Sequence, residues 1–427
     1  MMKAELRPRL IILSASYLML MSLVWIVALS VGEYVRPEHF LTHFLGFCVT
    51  IVILLVIVHR LAPTNYSIFT GLNIEKYAWV LVLTPVVLLA TYVILLGNVP
   101  LIDAIRANEY YAVTRIRTDI SKSGFPESYI PALVTRSIAP AIIVYFLHQN
   151  KFMTAFFVFL SAAAVGLLTI TKGHVIFATF PVILYCALTK RFLQAGLFLV
   201  TAGAIIYAVM VVTNPAANAA CKFSTNTSDP ACQMIVEPLP DDIEGVEKAP
   251  AAERLARALV RRAFLVPGQV VAEWFEIFPA KVPFEQGCGY RFLAPIVGCK
   301  FEQNARLVYA IQYPDRVAQG IRGSKNAAHF MEEYANFGLP GLFLAGALAA
   351  MVISVATLLM SKVSRPAFLS INLIFILMMA STALHTTLLS GGWLMAMITS
   401  AFLIGGTGLS QLDLKSSPDP RSQPVTR

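Results

Sequence analysis

Charge is scarce in this 427-residue chain: 13% of residues are Asp, Glu, Lys or Arg, against 57% hydrophobic. Soluble domains carry about 25% charged and about 45–50% apolar residues, so a water-soluble fold is excluded. Mean hydropathy, at +0.70, agrees. Asp and Glu are missing from every long apolar run. Ion-coupled transporters place carboxylates there to bind the coupling ion, so the absence weighs against one. Cysteine is sparse, six in all, and its spacing has no interleaved His of the kind zinc requires. No small-residue cleavage site follows the run from Leu10 to Ser30, so no cleavable signal peptide is expected. The net charge of +9 does not imply nucleic acid, because Lys and Arg fall in short clusters between apolar runs.

What is present is a series of apolar stretches of spanning length. They are expected at 10–30, 40–58, 77–97, 130–147, 152–171, 173–189, 192–213, 334–359, 366–389 and 391–409. Ten crossings put both termini on one side, and basic residues identify it. Lys3, Arg7, Arg9, Arg60, Lys76, Lys151, Lys190, Arg191, Lys362, Arg365, Lys415, Arg421 and Arg427 all fall there. Only Glu5, Glu75, Asp413 and Asp419 oppose them, which makes this face cytoplasmic. The predicted fold is an all-α polytopic membrane protein. It divides into a bundle at 1–213, with an outer loop at 98–129, a large outer loop at 214–333, a C-terminal membrane part at 334–409, and a cytoplasmic tail at 410–427.

The large loop holds two cysteine pairs of equal spacing, Cys221 with Cys232 and Cys288 with Cys299. In an oxidising compartment these read as two local disulfides, although three pairings are formally possible. Cys48 and Cys186 lie in apolar runs and read as packing residues. Charge in the loop is segregated: residues 229–253 are acidic and 254–325 are basic. Arg254, Arg257 and Arg261 share one helical face, and the first two read as a solvated surface. Arg261 and Arg262 adjoin the apolar AFLVP and suit a lipid-linked pyrophosphate, whose charges favour planar bidentate donors. Arg136, two turns into its span, either snorkels to headgroups or meets a substrate. Lys172, at a tight turn in TITKGHVIF, faces the same choice.

Residues Ser324 to Gly341 read SKNAAHFMEEYANFGLPG. On a helix His329, Glu332 and Glu333 share one face, with Asn336 a turn further on. An imidazole and a carboxylate are thereby expected together at the membrane surface, as general base catalysis requires. The competing reading is that two acids at a helix start only complement its dipole.

Four motifs occur in a telling order: TKGHVIFA, RRAFLVPGQVVAEWFEIFP, QGCGYRF and HFMEEYANFGLPGLF. From about Arg136 to Leu344 the chain resembles O-antigen polymerases of the Wzy type, whose relatives the O-antigen ligases carry a similar set. The resemblance implies a GT-C-like, metal-independent glycosyltransferase without a cofactor, in the bacterial inner membrane with its active site facing the periplasm. Its donor and acceptor would be undecaprenyl-pyrophosphate-linked oligosaccharides, with a chain-length-determining copolymerase as a further partner. Lys172 stands where relatives carry Arg; Arg261 matches the Arg opening the loop core. His329 matches the ligase-type His, and Glu332 the acid before YANFG in polymerases. Phe330 follows that His where ligases have Asn, which favours a polymerase. His329, Glu332 and Glu333 are the expected catalytic groups. Arg136, Lys172, Arg261, Arg262, Arg291, Tyr334 and Asn336 are the expected pyrophosphate and sugar contacts. An O-antigen ligase or a SEDS-type polymerase is the near rival, and a lipid-linked oligosaccharide flippase the distant one. No Gly- and Ser-rich SEDS signature precedes the last spans, and no internal symmetry supports a flippase.

Overall fold

The computed structural model describes residues 2–30, 37–61, 74–107, 113, 116, 129–213, 261, 265–318 and 323–405. Cys221, Cys232, Arg262 and the acidic loop segment lie outside the described residues, as does the C-terminal tail. Among the described residues the regular structure is entirely helical. Seven helices are long and apolar enough to cross a membrane. They begin with α1 (Met2–Ser30), α2 (Pro37–Leu61) and α3 (Ala78–Leu96). A short α4 (Pro100–Ala107) follows, then α5 (Ile130–His148). Two shorter apolar helices, α6 (Phe152–Leu168) and α7 (Lys172–Leu188), precede α8 (Phe192–Thr213). Apolar side chains such as Ile94, Leu193 and Val200 stand exposed along α3 and α8. Only lipid makes such a surface favourable, so this is an all-α membrane protein.

Residues 139–213 turn back on themselves three times with almost no loop. Each turn has one residue in the left-handed region: Asn150, Ile170 and Lys190. In each, the next amide reaches back to an early carbonyl, as from Lys151 to Phe146, Thr171 to Gly166 and Arg191 to Cys186. These six-to-one bonds satisfy orphan carbonyls at the helix ends and fold neighbouring helices antiparallel. The guanidinium of Arg191 donates to Leu147 O and to Asn150 Oδ1, both at 2.6 Å, which ties the first turn to the third.

The stretch between α8 and α11 contributes α9 (Val266–Ile277) and α10 (Asn304–Gln312). Helix α9 lies on the C-terminal end of α1, where a Cβ on Gly268 would come 2.5 Å from Val27 Cγ1. After it come α11 (Phe330–Phe337) and α12 (Leu339–Leu359), the latter packed along α2. The chain then forms α13 (Arg365–Met378), α14 (Leu384–Leu388) and α15 (Trp393–Leu403).

Two expected boundaries move. The run 334–359 is not one helix: Gly338, at φ 65° and ψ −142°, separates α11 from α12. That backbone region is open essentially to glycine alone, so the break belongs to the sequence. The division at 333/334 therefore falls inside α11. The run 366–389 is broken too, since α13 stops at Met378. Its 14 residues rise about 21 Å at 1.5 Å each, short of the roughly 30 Å hydrocarbon core. Broken backbone at such depth survives only where protein covers it or a cavity solvates it.

Candidate active site

The two broken helices meet. The amide of His329, at the start of α11, donates to Met379 O at 2.9 Å, just past the end of α13. The His329 ring is fully buried, its Nε2 2.5 Å from the hydroxyl of Tyr17. Tyr17 lies 13 residues before the end of α1 at Ser30, or about 20 Å below it. The expectation of an imidazole at the membrane surface is therefore corrected: His329 sits halfway along the apolar stretch of α1. The cause is packing. Phe330 stacks on Trp25 at 4.8 Å between ring centres and meets Phe47 of α2, which draws the tip of α11 into the bundle.

His329, Glu332 and Glu333 also diverge in their partners. Glu332 is half-buried, and its Oε2 accepts from Asn304 Nδ2 of α10 at 2.9 Å. Glu333 is buried, with the Tyr290 hydroxyl donating to its carboxyl. Burial, against the opposing Asn304 bond, lifts the Glu332 carboxyl to about 7; burial and the nearby Glu332 lift Glu333 to about 8. Glu285 is raised to about 7 by burial and by Glu302. Burying a carboxylate without a full set of donors disfavours its charged form, which brings these acids near neutrality.

Asn336 organises the neighbouring turn and is buried beneath it. Its Oδ1 accepts the amides of Gly287 and Gly289, each at 3.1 Å, while Nδ2 donates to Glu332 O at 2.8 Å. The amides of Glu285 and Gln286 donate to the carbonyls of Ala335 and Asn336. QGCGYRF thus rides on α11, and the Cys288–Cys299 disulfide closes the same turn. The approach is close because Gly289 has no side chain. A Cβ there would lie 2.6 Å from both Asn304 Nδ2 and Glu285 Oε2, and 2.7 Å from Asn336 Nδ2. Lys325 anchors the strand of chain before α11, its Nζ 2.9 Å from the buried Glu273 of α9.

The expected pyrophosphate contacts are scattered. Arg136 occupies a π-helical turn, Val134–Ile138, within α5. Its guanidinium lies 4.5 Å over the Phe177 ring, and its Nε is buried without a hydrogen-bond partner among the described residues. Such turns recur at functional sites because they expose an extra backbone group. The turn touches α15, where Ser137 Oγ donates to Gly392 O at 2.7 Å, and α7, where Thr135 Oγ1 lies 3.0 Å from His174 Nδ1. Lys172, partly buried, opens α7 two residues before His174. Arg261 is exposed; Arg291 is exposed and lies 5.3 Å over Phe301. Tyr334 is buried among Phe275, Phe284 and His43, with its hydroxyl 3.4 Å from Phe278 O. Tyr334 and Asn336 thus hold other residues in place.

Sequence reasoning missed Tyr17, Glu285, Tyr290 and Asn304. A tyrosine inside an apolar run carries no signal, and Asn304 looks like any loop amide. Glu285 and Tyr290 flank the glycines of QGCGYRF, which is where a polar residue beside a tight turn could have been weighed. Compared with models of known protein families, with characterised proteins and with solved structures, the chain matches none.

Proposed function

We propose that this chain is a glycosyltransferase of the bacterial inner membrane that polymerises undecaprenyl-pyrophosphate-linked oligosaccharide repeat units into O-antigen or a related surface polysaccharide. In this reading the chain crosses the membrane ten times. The three shorter apolar helices α6, α7 and α13 complete the count, with both termini cytoplasmic and the loop 214–333 periplasmic. The observation that carries the reading is the half-buried Glu332, held by Asn304 and brought near neutrality, on a helix that dips into the bundle. A general base works best when its pKa lies near the operating pH. Glu332 takes the proton of the acceptor hydroxyl as that oxygen attacks the anomeric carbon of the donor chain, and undecaprenyl pyrophosphate leaves. Arg136 and Lys172 face the departing charge, with Arg261, Arg262 and Arg291 in support. His329, fully buried on Tyr17, positions α11 and takes no part in proton transfer.

The resemblance in HFMEEYANFGLPGLF and the lack of Asn after His329 favour a polymerase over a ligase. One observation favours a second class. Helix α11 carries a buried and a half-buried carboxyl beside spans that have none, which a flippase for lipid-linked oligosaccharides could also use. Deletion of the gene separates these. A polymerase leaves lipid A-core bearing a single repeat unit. A ligase leaves bare core with long lipid-linked chains, and a flippase leaves repeat units stranded in the cytoplasmic leaflet. Either of the last two results overturns the reading.

A further inference from the structure

The disulfide between Cys288 and Cys299 closes a turn whose tip is apolar and open. Phe292 is 65% exposed, Ile296 79% and Val297 51%. Water disfavours such a cluster, and an exposed apolar patch marks contact with lipid or protein. The backbone of the tip needs no outside partner. The amides of Ile296 and Val297 donate to Leu293 O, and those of Gly298 and Cys299 to Ala294 O, at 2.8–3.0 Å. A segment bonded to itself in this way enters a less polar layer without leaving those donors unpaired. Arg291 and Lys300, both exposed, stand at the two ends of the tip. Cations beside an apolar tip suit the phosphates of lipid headgroups.

Tyr290 fixes the turn to one end of the bundle. Its ring lies near-parallel to Phe337, 6.3 Å between centres, and meets His385 edge-on at 5.7 Å. Phe337 comes just before α12, and His385 lies at the start of the stretch Leu384–Leu403. Both stretches are long and apolar enough to cross a membrane. Their far ends also lie together, since a Cβ on Gly405 would come 3.5 Å from Lys362 Cβ, just past α12. The 21 residues of α12 rise about 31 Å, close to the roughly 30 Å of a hydrocarbon core. With Lys362 at one boundary of that core, Phe337 and His385 stand at the other. The Phe292 ring is 5.7 Å from that of Tyr290, so the tip stands at the same boundary. We propose that the turn 291–300 is an interfacial anchor, which lays Phe292, Ile296 and Val297 into the bilayer surface and Lys300 among its phosphates. Continuity favours lipid over a protein partner. The exposed apolar sides of α3 and α8 already require lipid, and the tip meets the edge of that same layer. The anchor stands whether or not the chain is a glycosyltransferase.

The test places the photoreactive residue p-benzoylphenylalanine at Ile296 of the full-length protein and, in a second variant, at Phe292. Both positions are exposed, so each variant should melt as the parent does, and one that does not gives way to the other. The purified protein is irradiated in nanodiscs of phosphatidylcholine and phosphatidylglycerol, and the adducts are identified by mass spectrometry. Lipid adducts should dominate at both positions. Removing one charge with Lys300→Gln should lower the ratio of phosphatidylglycerol to phosphatidylcholine adducts about fivefold. A ratio that does not fall overturns the headgroup contact of Lys300. Absence of lipid adducts from a folded variant overturns the anchor itself. So does irradiation in native membranes that links the tip to a second copy, or to another protein, in place of lipid.

Discussion

At the scale of single residues, the account turns on two neighbouring carboxyls with different surroundings. Glu332 is half-buried and bonded to Asn304, whereas Glu333 is buried against Tyr290. If Glu332 is the base, it must lose its proton to act. Turnover should then rise with pH and level off above about 7, the value to which burial lifts it. Glu332→Gln should lower turnover roughly 10²–10⁴-fold and flatten that profile; a full-strength Gln variant would remove Glu332 from the chemistry. Glu333 has a different consequence. Its folded carboxyl keeps a proton to about pH 8, while the unfolded one ionises in the ordinary carboxylate range. The folded state therefore binds more protons over that interval, and stability falls as pH rises until it levels off above about 8. Between pH 7 and 8 Glu332 and Glu285 go from half to mostly ionised while Glu333 is still largely protonated, so Glu333 contributes the largest single share of the slope. Melting temperatures of the wild type should drop across that interval, and Glu333→Gln should reduce the drop. A slope unchanged in the Gln variant would mean another group titrates.

At the scale of elements, the breaks carry the architecture. Gly338 lets α11 and α12 be separate helices at an angle, which is what aims Glu332 at α10. Gly338→Ala imposes a side chain on a glycine-only conformation and brings its Cβ 2.9 Å from the Phe284 ring. It should cost about 1–3 kcal/mol, seen as a lower melting temperature, with activity lost beyond what the melt explains. An active variant of normal stability would show the hinge to be dispensable. This is also where the sequence was least legible. Apolar runs marked α1, α2, α3 and α8 well, because length and hydropathy alone decide a spanning helix. The run 366–389 misled, since residues 379–389 hold Ser, His and three Thr yet still average apolar, and α13 stops where Met379 O meets the His329 amide. Hydrophobicity records what is buried and says little about which backbone is helical. The motif HFMEEYANFG suggested one shared helical face, whereas its three side chains find different partners, in α1, α10 and QGCGYRF. Those partners come from far along the chain, and nothing local names them.

At the scale of the whole molecule, the bundle is built from both ends. Arg9 near the start of α1 donates to Met360 O and Ser361 O at 3.0 and 2.7 Å, capping α12. At the other end α9 covers α1 beside Val27, and between them α11 dips to meet Tyr17. The result is a set of buried and half-buried acids beside spans that carry none. Burying such acids costs free energy and points to function, but does not say which. A transporter needs two compartments, whereas a glycosyltransferase needs only its two substrates. The most direct measurement is therefore the purified protein in detergent micelles, with synthetic undecaprenyl-pyrophosphate repeat units and product length read by mass spectrometry. The account predicts lipid-linked chains of two or more repeat units, with release of undecaprenyl pyrophosphate and near-complete loss in Glu332→Gln. Unchanged single repeat units from a protein whose melt confirms it is folded would contradict it.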